Sequence, residues 1–235
     1  MKKLFPIALL SLLFAGCASV SGPTDGLVGR WAFDGDCRDS SGHGNDGINH
    51  DVTFVADRFG NPASAAHCGG RGFVRVTNTP ELESITGPVS MACWLRIDML
   101  RPDWIPIFCK RVADKFPRQF GFQLTNDRQG LMQINDENGG LQWKKQVKSG
   151  RVPFDSRWHH YAITYDGVLL IAYVDGQEVG RVECPGELQA NDEDLLIGCD
   201  PPGGLDILKG DIDDARLYNR ALSAEEVKEL FSLGK

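Results

Sequence analysis

Most of the chain alternates short apolar runs with polar, turn-forming residues. The runs are rich in β-branched, aromatic and aliphatic side chains and end at Gly, Pro, Asn or Asp, which is typical of β-strands. Asp166-Gly167 and Asp175-Gly176 separate three successive runs, and Asp-Gly favours a tight hairpin turn because glycine accepts a positive φ. The predicted strands cover residues 90–97, 106–111, 120–125, 131–135, 159–165, 169–174, 177–182 and 194–199. The pattern predicts an all-β sandwich or barrel that forms a single domain.

The C-terminal stretch, residues 210–231, breaks this pattern and predicts a strand, a turn and a short helix. Ser223 is a good N-cap, and Glu226 stands three residues later, as in a capping box. Leu222 and Val227 flank the cap at the two positions that form a hydrophobic staple. We therefore expect a capped helix that packs one apolar face against the sheet.

One acidic residue of the predicted last strand conflicts with its surroundings. Strict alternation places Asp213 on the same face as Ala215 and Leu217, because successive side chains of a strand point to opposite faces. A carboxylate on an apolar face is costly unless another group pairs with it. The sequence therefore predicts an inward Asp213 with a partner that the pattern alone does not identify.

The N-terminus resembles an export signal. Lys2 and Lys3 precede an apolar run over residues 4–15, which is too short to span a bilayer as a mature helix. The run ends at Cys17 in a segment that resembles a bacterial lipoprotein signal, in which Cys17 would be lipidated; an ordinary secretory signal is the alternative. We interpret residues 1–17 as the signal peptide and the small, polar residues 18–26 as a flexible tether.

Charge and cysteine content agree with an exported protein. The formal net charge is −7, and without Lys2 and Lys3 it becomes −9, which argues against nucleic acid as a partner. Six cysteines remain beyond Cys17, and an even number in an exported chain indicates disulfides. Pairing of sequence neighbours on adjacent strands would give Cys37–Cys68, Cys93–Cys109 and Cys184–Cys199.

Several segments along the chain together carry a resemblance to a known fold. They are WAFDGD at 31–36, DSSGHGNDG at 39–47, SMACWLRI at 90–97, WHHYAITYDG at 158–167, AYVDGQEVG at 172–180, LLIGCD at 195–200 and GDIDDARLYNRALSAEEV at 210–227. In this order they resemble the family of laminin-G-like, concanavalin-A-like jelly rolls. The resemblance covers residues 27–235, and it implies two curved antiparallel sheets packed face to face, with a short C-terminal helix. It is much less specific for activity, because function resides in sites added to a fold.

The resemblance also implies a structural calcium near the two chain ends, where many domains of the family carry one. The expected ligands are Asp34, Asn45 and Asp213, because Ca²⁺ takes six to eight oxygen ligands in flexible geometry. The alternative is that Asp34 and Asp213 accept backbone N–H hydrogen bonds and hold the 39–47 loop without a metal.

Two tryptophans are candidates for ligand binding. Trp104 lies in a Pro-rich segment and Trp143 lies near lysines, and exposed aromatic faces stack on sugar rings. Trp31, Trp94 and Trp158 lie in strand patterns and are expected in the core. For both candidates the alternative is packing beneath a loop or over a sheet edge.

The sequence contains no motif for catalysis. It has no E-x-D-x-x-E run of paired carboxylates, no G-x-S-x-G, no H-E-x-x-H and no P-loop. We therefore expect a binding or adhesion module of the cell envelope, membrane-anchored or secreted, whose partner is a glycan or a surface protein. The alternatives are a glycoside hydrolase or lyase on the same fold and a structural envelope protein.

Overall fold

The computed structural model describes residues 22–97, 105–111, 118–124, 130–134, 153, 155–200 and 206–233. The predicted signal peptide, the lipidation site Cys17, and both Trp104 and Trp143 lie outside the described residues. Within the described residues, no helix has the length and apolar character needed to cross a membrane.

The described residues form fourteen strands and two helices. They are β1 (Leu27–Trp31), β2 (Gly47–His50), β3 (Thr53–Val55), β4 (Ala65–His67), β5 (Phe73–Val76), α1 (Pro80–Glu83), β6 (Val89–Ile97), β7 (Ile105–Arg111), β8 (Arg118–Leu124), β9 (Gly130–Ile134), β10 (His159–Tyr165), β11 (Leu169–Val174), β12 (Gln177–Glu183), β13 (Leu195–Ile197), β14 (Gly210–Tyr218) and α2 (Ala224–Leu233).

The strands build two antiparallel sheets that pack face to face. The eight-stranded sheet has the order β12-β11-β10-β6-β14-β4-β3, with β1 also paired to β14, and the six-stranded sheet has the order β2-β5-β13-β7-β8-β9. The main core cluster takes side chains from both, such as Met91 and Tyr161 from the first and Ile107 and Phe120 from the second. The predicted sandwich of two antiparallel sheets is therefore confirmed.

The C-terminal helix covers part of the outer face of the eight-stranded sheet. The Ser223 hydroxyl accepts a hydrogen bond from the Glu226 N–H at 3.2 Å, and the Glu226 carboxylate accepts one from the Ser223 N–H at 2.8 Å. This confirms the capping box. Val227 and Leu222 are both buried in a second cluster, with Ala162 of the sheet beneath them.

A β-bulge in the last strand overturns the expected position of Asp213. Asp213 is paired with Trp94 of β6, and the following pair joins Arg216 to Ala92, so β14 contains one extra residue. Asp214 adopts φ 46° within this bulge. Because the extra residue reverses the alternation, Ala215 faces the core while Asp213 lies with Trp94 on the outer face.

Residues 22–26, which were predicted to belong to the flexible tether, pack against the end of the chain. The Tyr218 hydroxyl donates to the Pro23 carbonyl at 3.1 Å, and Arg220 donates to the Asp25 carbonyl at 2.8 Å. The Asn219 N–H donates to the Gly26 carbonyl at 2.9 Å. The ordered domain therefore begins before β1, and the remaining tether residues, 18–21, lie outside the described part.

The structure records no disulfide among the six described cysteines. The predicted bonds Cys93–Cys109 and Cys184–Cys199 do not fit this arrangement. In each pair one thiol lies in the core between the sheets and the other lies in a small cluster on the outer face of the six-stranded sheet.

The third predicted disulfide, Cys37–Cys68, agrees better with the structure than the other two. Both thiols belong to the core between the sheets. The pKa of the Cys68 thiol is raised by burial first and then by Asp211, Cys199 and Cys37. Because both thiols lie in the same core cluster, the Cys37–Cys68 bond stays a prediction.

Candidate functional site

The loop over residues 39–47 is held by Asp39. Its carboxylate accepts hydrogen bonds from the Arg30 N–H at 2.9 Å, the Ser41 N–H and hydroxyl at 2.8 Å each, and the Asn45 N–H at 3.0 Å. Burial opposes ionisation of Asp39, but these hydrogen bonds outweigh it and lower the pKa of the carboxyl group. The loop is thus pinned by a carboxylate within it, a role that the sequence had suggested for Asp34 and Asp213.

Asn45, one of the expected calcium ligands, is buried and engaged by protein groups. Its side-chain amide donates to the Val28 carbonyl at 2.8 Å and to the Glu81 carboxylate at 3.2 Å. Its side-chain oxygen accepts a hydrogen bond from the Thr79 hydroxyl at 3.2 Å. These contacts tie the loop to α1, whose N-cap is Thr79.

The structure does not bring the three expected calcium ligands together as a set. Asp34 is exposed, Asn45 is hydrogen-bonded as above, and Asp213 is paired with a cation, Arg58. Across the described part of the chain, no group of three or more His, Cys, Asp or Glu residues is placed to hold a metal ion. A structural calcium therefore stays a prediction.

Asp213 forms a buried ion pair with Arg58 on the outer face of the eight-stranded sheet. Burial raises the pKa of Asp213 to about 7, although the Arg58 guanidinium acts in the opposite direction. The Arg58 guanidinium also lies over the rings of Phe59 and Trp94, 4.5 and 4.9 Å from their centroids. The carboxylate thus fixes an arginine that is sandwiched between two aromatic side chains.

Arg58 and Phe59 form one wall of a cleft of about 490 Å³, which we call the helix-side cleft. It opens on the outer face of the eight-stranded sheet, beside the last turn of α2. The residues that line it are Arg58, Phe59, Trp94, Arg157, Trp158, His159, Asp175 and Phe231.

Local hydrogen bonds explain how the loop presents its aromatic wall. Asp57 accepts hydrogen bonds from the N–H groups of Phe59 at 2.9 Å and Asn61 at 2.8 Å, so it closes the turn between them. The Phe59 ring at the tip of this turn is 52% exposed. An exposed phenylalanine held by a fixed turn is a suitable surface for a ligand ring.

The opposite wall is built around a histidine held by two carboxylates. His159 Nδ1 lies 2.7 Å from Asp175, and its Nε2 lies 3.0 Å from Asp155. The hydrogen bond with Asp175 is the main cause of the raised pKa of His159, and Asp155 adds to it. Asp155 also pairs with Arg157, whose Nε donates to it at 2.7 Å. His159 thus joins the segment that carries Arg157 and Trp158 to the Asp175 turn.

Aromatic rings of Trp94 and Phe231 line the cleft, and His160 lies next to them. Phe231 stacks on Trp94 with ring centroids 5.8 Å apart, and His160 lies 5.4 Å from Trp94. The ring nitrogens Trp94 Nε1, Trp158 Nε1 and His160 Nδ1 are buried and have no hydrogen-bond partner in the described structure. Burial lowers the pKa of His160 to about 4, so this imidazole is neutral at pH 7.

A second buried charge lies apart from this cleft. Lys110 of β7 is fully buried, and its ammonium group donates to Asn78 Oδ1 at 2.7 Å, to the Asn191 carbonyl at 3.1 Å and to the Glu193 carbonyl at 2.5 Å. Burial lowers the pKa of Lys110 to about 8. The surrounding oxygens belong to protein groups, so Lys110 acts as a cross-link between segments of the sandwich.

Sequence reasoning found only part of this site. Trp94 and Trp158 were expected in the core, but Trp94 lies beneath Arg58 on the outer face and Trp158 is half-buried in the cleft wall. Arg58, Phe59 and Arg157 were missed. The available signal was the dense DSRWHH run at 155–160, where charged and aromatic residues directly precede a strand.

The comparisons with known proteins agree with the fold. The family model of the concanavalin A-like lectin/glucanases superfamily (Laminin_G_3) matches residues 69–228. A search of curated proteins found no match.

Three solved structures illustrate the similarity. Domain 4 of AbnA, a GH43 extracellular arabinanase from Geobacillus stearothermophilus, in complex with arabinotriose, has TM-score 0.65 and 18% identity over 89% of this chain and 98% of that one. The binding domain of Paraclostridial Mosquitocidal Protein 1 has TM-score 0.68 and 16% identity over 88% of this chain and 52% of that one. Trypanosoma rangeli sialidase in complex with the inhibitor DANA has TM-score 0.61 and 17% identity, and the match covers 91% of this chain but 34% of the sialidase.

Proposed function

Because the chain belongs to the concanavalin A-like lectin/glucanases superfamily, we propose that it is a carbohydrate-binding module whose sugar ligand occupies the helix-side cleft. Its site of action under this proposal is the cell envelope or the exterior, as the N-terminal segment suggests. The similar domain of the arabinanase, which was solved with arabinotriose, supports the ligand class but not the position of the site.

The observation that carries the proposal is the composition of the cleft. Sugars present apolar C–H faces, which stack on aromatic rings, and hydroxyl groups, which need hydrogen-bond partners. The cleft supplies the exposed ring of Phe59 and the half-buried ring of Trp158, together with charged donors and acceptors at Arg157 and Asp175. Its volume of about 490 Å³ lies within the usual range of small-molecule sites.

The unpaired ring nitrogens support the same conclusion. A buried donor or acceptor without a partner costs free energy, and Trp94 and Trp158, whose Nε1 atoms have no partner in the described structure, both line the cleft. A water molecule or ligand hydroxyl that reaches one of them would recover part of this cost. An apolar ligand would recover none of it, so the chemistry favours a hydroxylated ligand.

The first experiment is a glycan-array screen of the purified domain, with and without calcium, followed by titration calorimetry of the best ligand. Phe59→Ala should weaken binding of that ligand about two- to tenfold, since an aromatic stacking contact is worth about 0.5–1.5 kcal/mol. Ile48→Ala is the matched control, because Ile48 is also an exposed apolar residue, at 42%, but belongs to the six-stranded sheet.

The proposal fails if Phe59→Ala and Ile48→Ala bind the ligand equally well, because the sugar would then bind elsewhere. It also fails if the array detects no glycan at all. Release of new reducing ends from the best ligand would instead support the alternative of a glycoside hydrolase.

A further inference from the structure

The side chains that line the helix-side cleft include more cationic than acidic groups, although the chain as a whole is acidic. Its lining includes the cationic groups Arg58, Arg157 and His159 and a single carboxylate, Asp175, whereas the formal net charge of the chain is −7. His159 counts as a cation because both of its ring nitrogens face carboxylates, at 2.7 and 3.0 Å. Only the doubly protonated ring donates to both. An anionic group is therefore better accommodated here than on the rest of the acidic surface.

The three cationic side chains differ in how strongly carboxylates of the protein hold them. Arg58 is paired with the buried carboxylate of Asp213, and its side chain is only 11% exposed. His159 spends both of its donors on Asp155 and Asp175. If Arg58 turned to a ligand, Asp213 would lose this cationic partner, and if His159 did so, Asp175 would lose its own.

Arg157 is different, because it is exposed and its partner has a second cation. Its side chain is 77% exposed, and its ion pair with Asp155 lies at the surface. Asp155 is also held by His159 Nε2 at 3.0 Å. If the guanidinium moved from Asp155 to a ligand, the Asp155 carboxylate would keep the imidazolium as its partner. The exchange therefore costs little, since exposed ion pairs contribute only about 0–1 kcal/mol.

We propose that the helix-side cleft selects sugars that carry a carboxylate, and that Arg157 binds this carboxylate while the sugar ring lies against Phe59 and Trp158. A guanidinium presents two parallel N–H donors that match the two oxygens of a carboxylate. Uronic and sialic acids share this group on a ring with apolar faces. This inference rests on the proposed function, because it assigns the ligand class of the same cleft.

The experiment compares each acidic sugar with its neutral methyl ester, which keeps the shape and removes the charge. Trigalacturonate and sialyllactose represent the two sources of the carboxylate, and each is titrated into the protein beside its ester by calorimetry. We expect the wild type to bind at least one of the acids about tenfold more tightly than its ester. The preferred pair identifies the source.

Arg157→Gln should reduce the acid-to-ester affinity ratio to about one, and Arg157→Lys should leave an intermediate ratio because it keeps the charge but loses the paired donors. Arg181→Gln is the matched control. Arg181 is also exposed, at 56%, and is paired with an acidic residue, Glu178, but it lies on β12 and does not line the cleft. This control should keep the wild-type ratio.

Equal affinity of the wild type for the acids and their esters would overturn the inference, and so would an unchanged ratio in Arg157→Gln. If a neutral glycan from the array binds in a manner that depends on Phe59 while neither acid is preferred, the inference fails and the proposed function stands. If neither the array nor these titrations detect binding, both fail.

Discussion

Replacing Asp39 with alanine should destabilise the domain more than removing the exposed carboxylate of nearby Asp36. The Asp39 carboxylate accepts four hydrogen bonds, two from Ser41 and one each from the N–H groups of Arg30 and Asn45. Arg30 belongs to β1, so these bonds fasten the loop to the first strand. Alanine would remove the acceptor, so these N–H and hydroxyl groups would hydrogen-bond to water or have no partner.

The expected loss of stability depends on how many of these donors cannot hydrogen-bond to water instead. A hydrogen bond to a charged group contributes about 1.5–3 kcal/mol, but the groups on Ser41 are near the surface and can bind water. Counting only the Arg30 and Asn45 N–H groups at the lower value gives about 3 kcal/mol. For a domain of this size, each kcal/mol lowers the melting temperature by about 2–4 °C, so we expect a decrease of about 6–12 °C.

The same carboxylate predicts a pH dependence. Its pKa in the folded state is lowered, because the hydrogen bonds outweigh the opposing effect of burial. The stabilisation is therefore fully present above the pKa of the unfolded chain, near 3.9, and is lost as the pH falls through the folded-state pKa. The difference in stability between wild type and Asp39→Asn should accordingly shrink below about pH 4.

The assay is thermal and urea unfolding of wild type, Asp39→Ala and Asp39→Asn, followed by circular dichroism, at pH 7 and in steps down to pH 3. Asp36→Ala is the matched control, because Asp36 is exposed and its contacts are with the neighbouring Arg38, whose N–H donates to it at 2.9 Å and whose Nε lies 3.7 Å away. Exposed substitutions usually change stability by about 0.5 kcal/mol or less. Equal losses in Asp39→Ala and Asp36→Ala would refute the role assigned to Asp39.

Four further outcomes are expected. Asp213→Asn should lower the urea midpoint equally in millimolar calcium and in excess chelator, since its partner is an arginine; a loss confined to the calcium sample would instead identify a calcium ligand. Lys110→Met should cost about 1–3 kcal/mol in urea unfolding, because it leaves the neutral oxygens around Lys110 without their donor, and an unchanged stability would contradict this. Peptide mapping of the exported protein without reductant should recover Cys37 linked to Cys68, and recovery of both as thiols would exclude that bond. Cys17→Ser should release the protein from membranes after a salt wash, and equal retention would exclude lipidation there.

The parts of the fold that depend on local signals could be predicted from the sequence. The strands at 159–165 and 169–174 have the predicted bounds. In the predicted turn after the second of them, Asp175 and Gly176 adopt φ values of 51° and 72°. The Ser223–Glu226 capping box is likewise contained in a few residues. Alternation, turn chemistry and caps all act over short stretches of chain, which is why a pattern reveals them.

Asp213 shows where local patterns fail. Alternation predicts its face only if every residue between Ile212 and Leu217 follows the pleat, and the bulge adds one residue that does not. The extra residue, Asp214, has a positive φ although it is not glycine. The residue types in this strand therefore do not predict the bulge. Its carboxylate is held by Arg30 and Arg216, two residues whose closeness only the tertiary structure reveals.

The helix-side cleft could not be predicted for a related reason. Alternation shows that Trp94 shares a strand face with Ala92, but it does not show how much of that face another element covers. The last helix is short, so it buries Ala92 and Ala162 and ends at the cleft, where Phe231 stacks on Trp94. The 57–61 turn forms the other side. The cleft is thus the part of a sheet face that the helix is too short to cover, and its existence depends on the length and position of α2 rather than on any single motif.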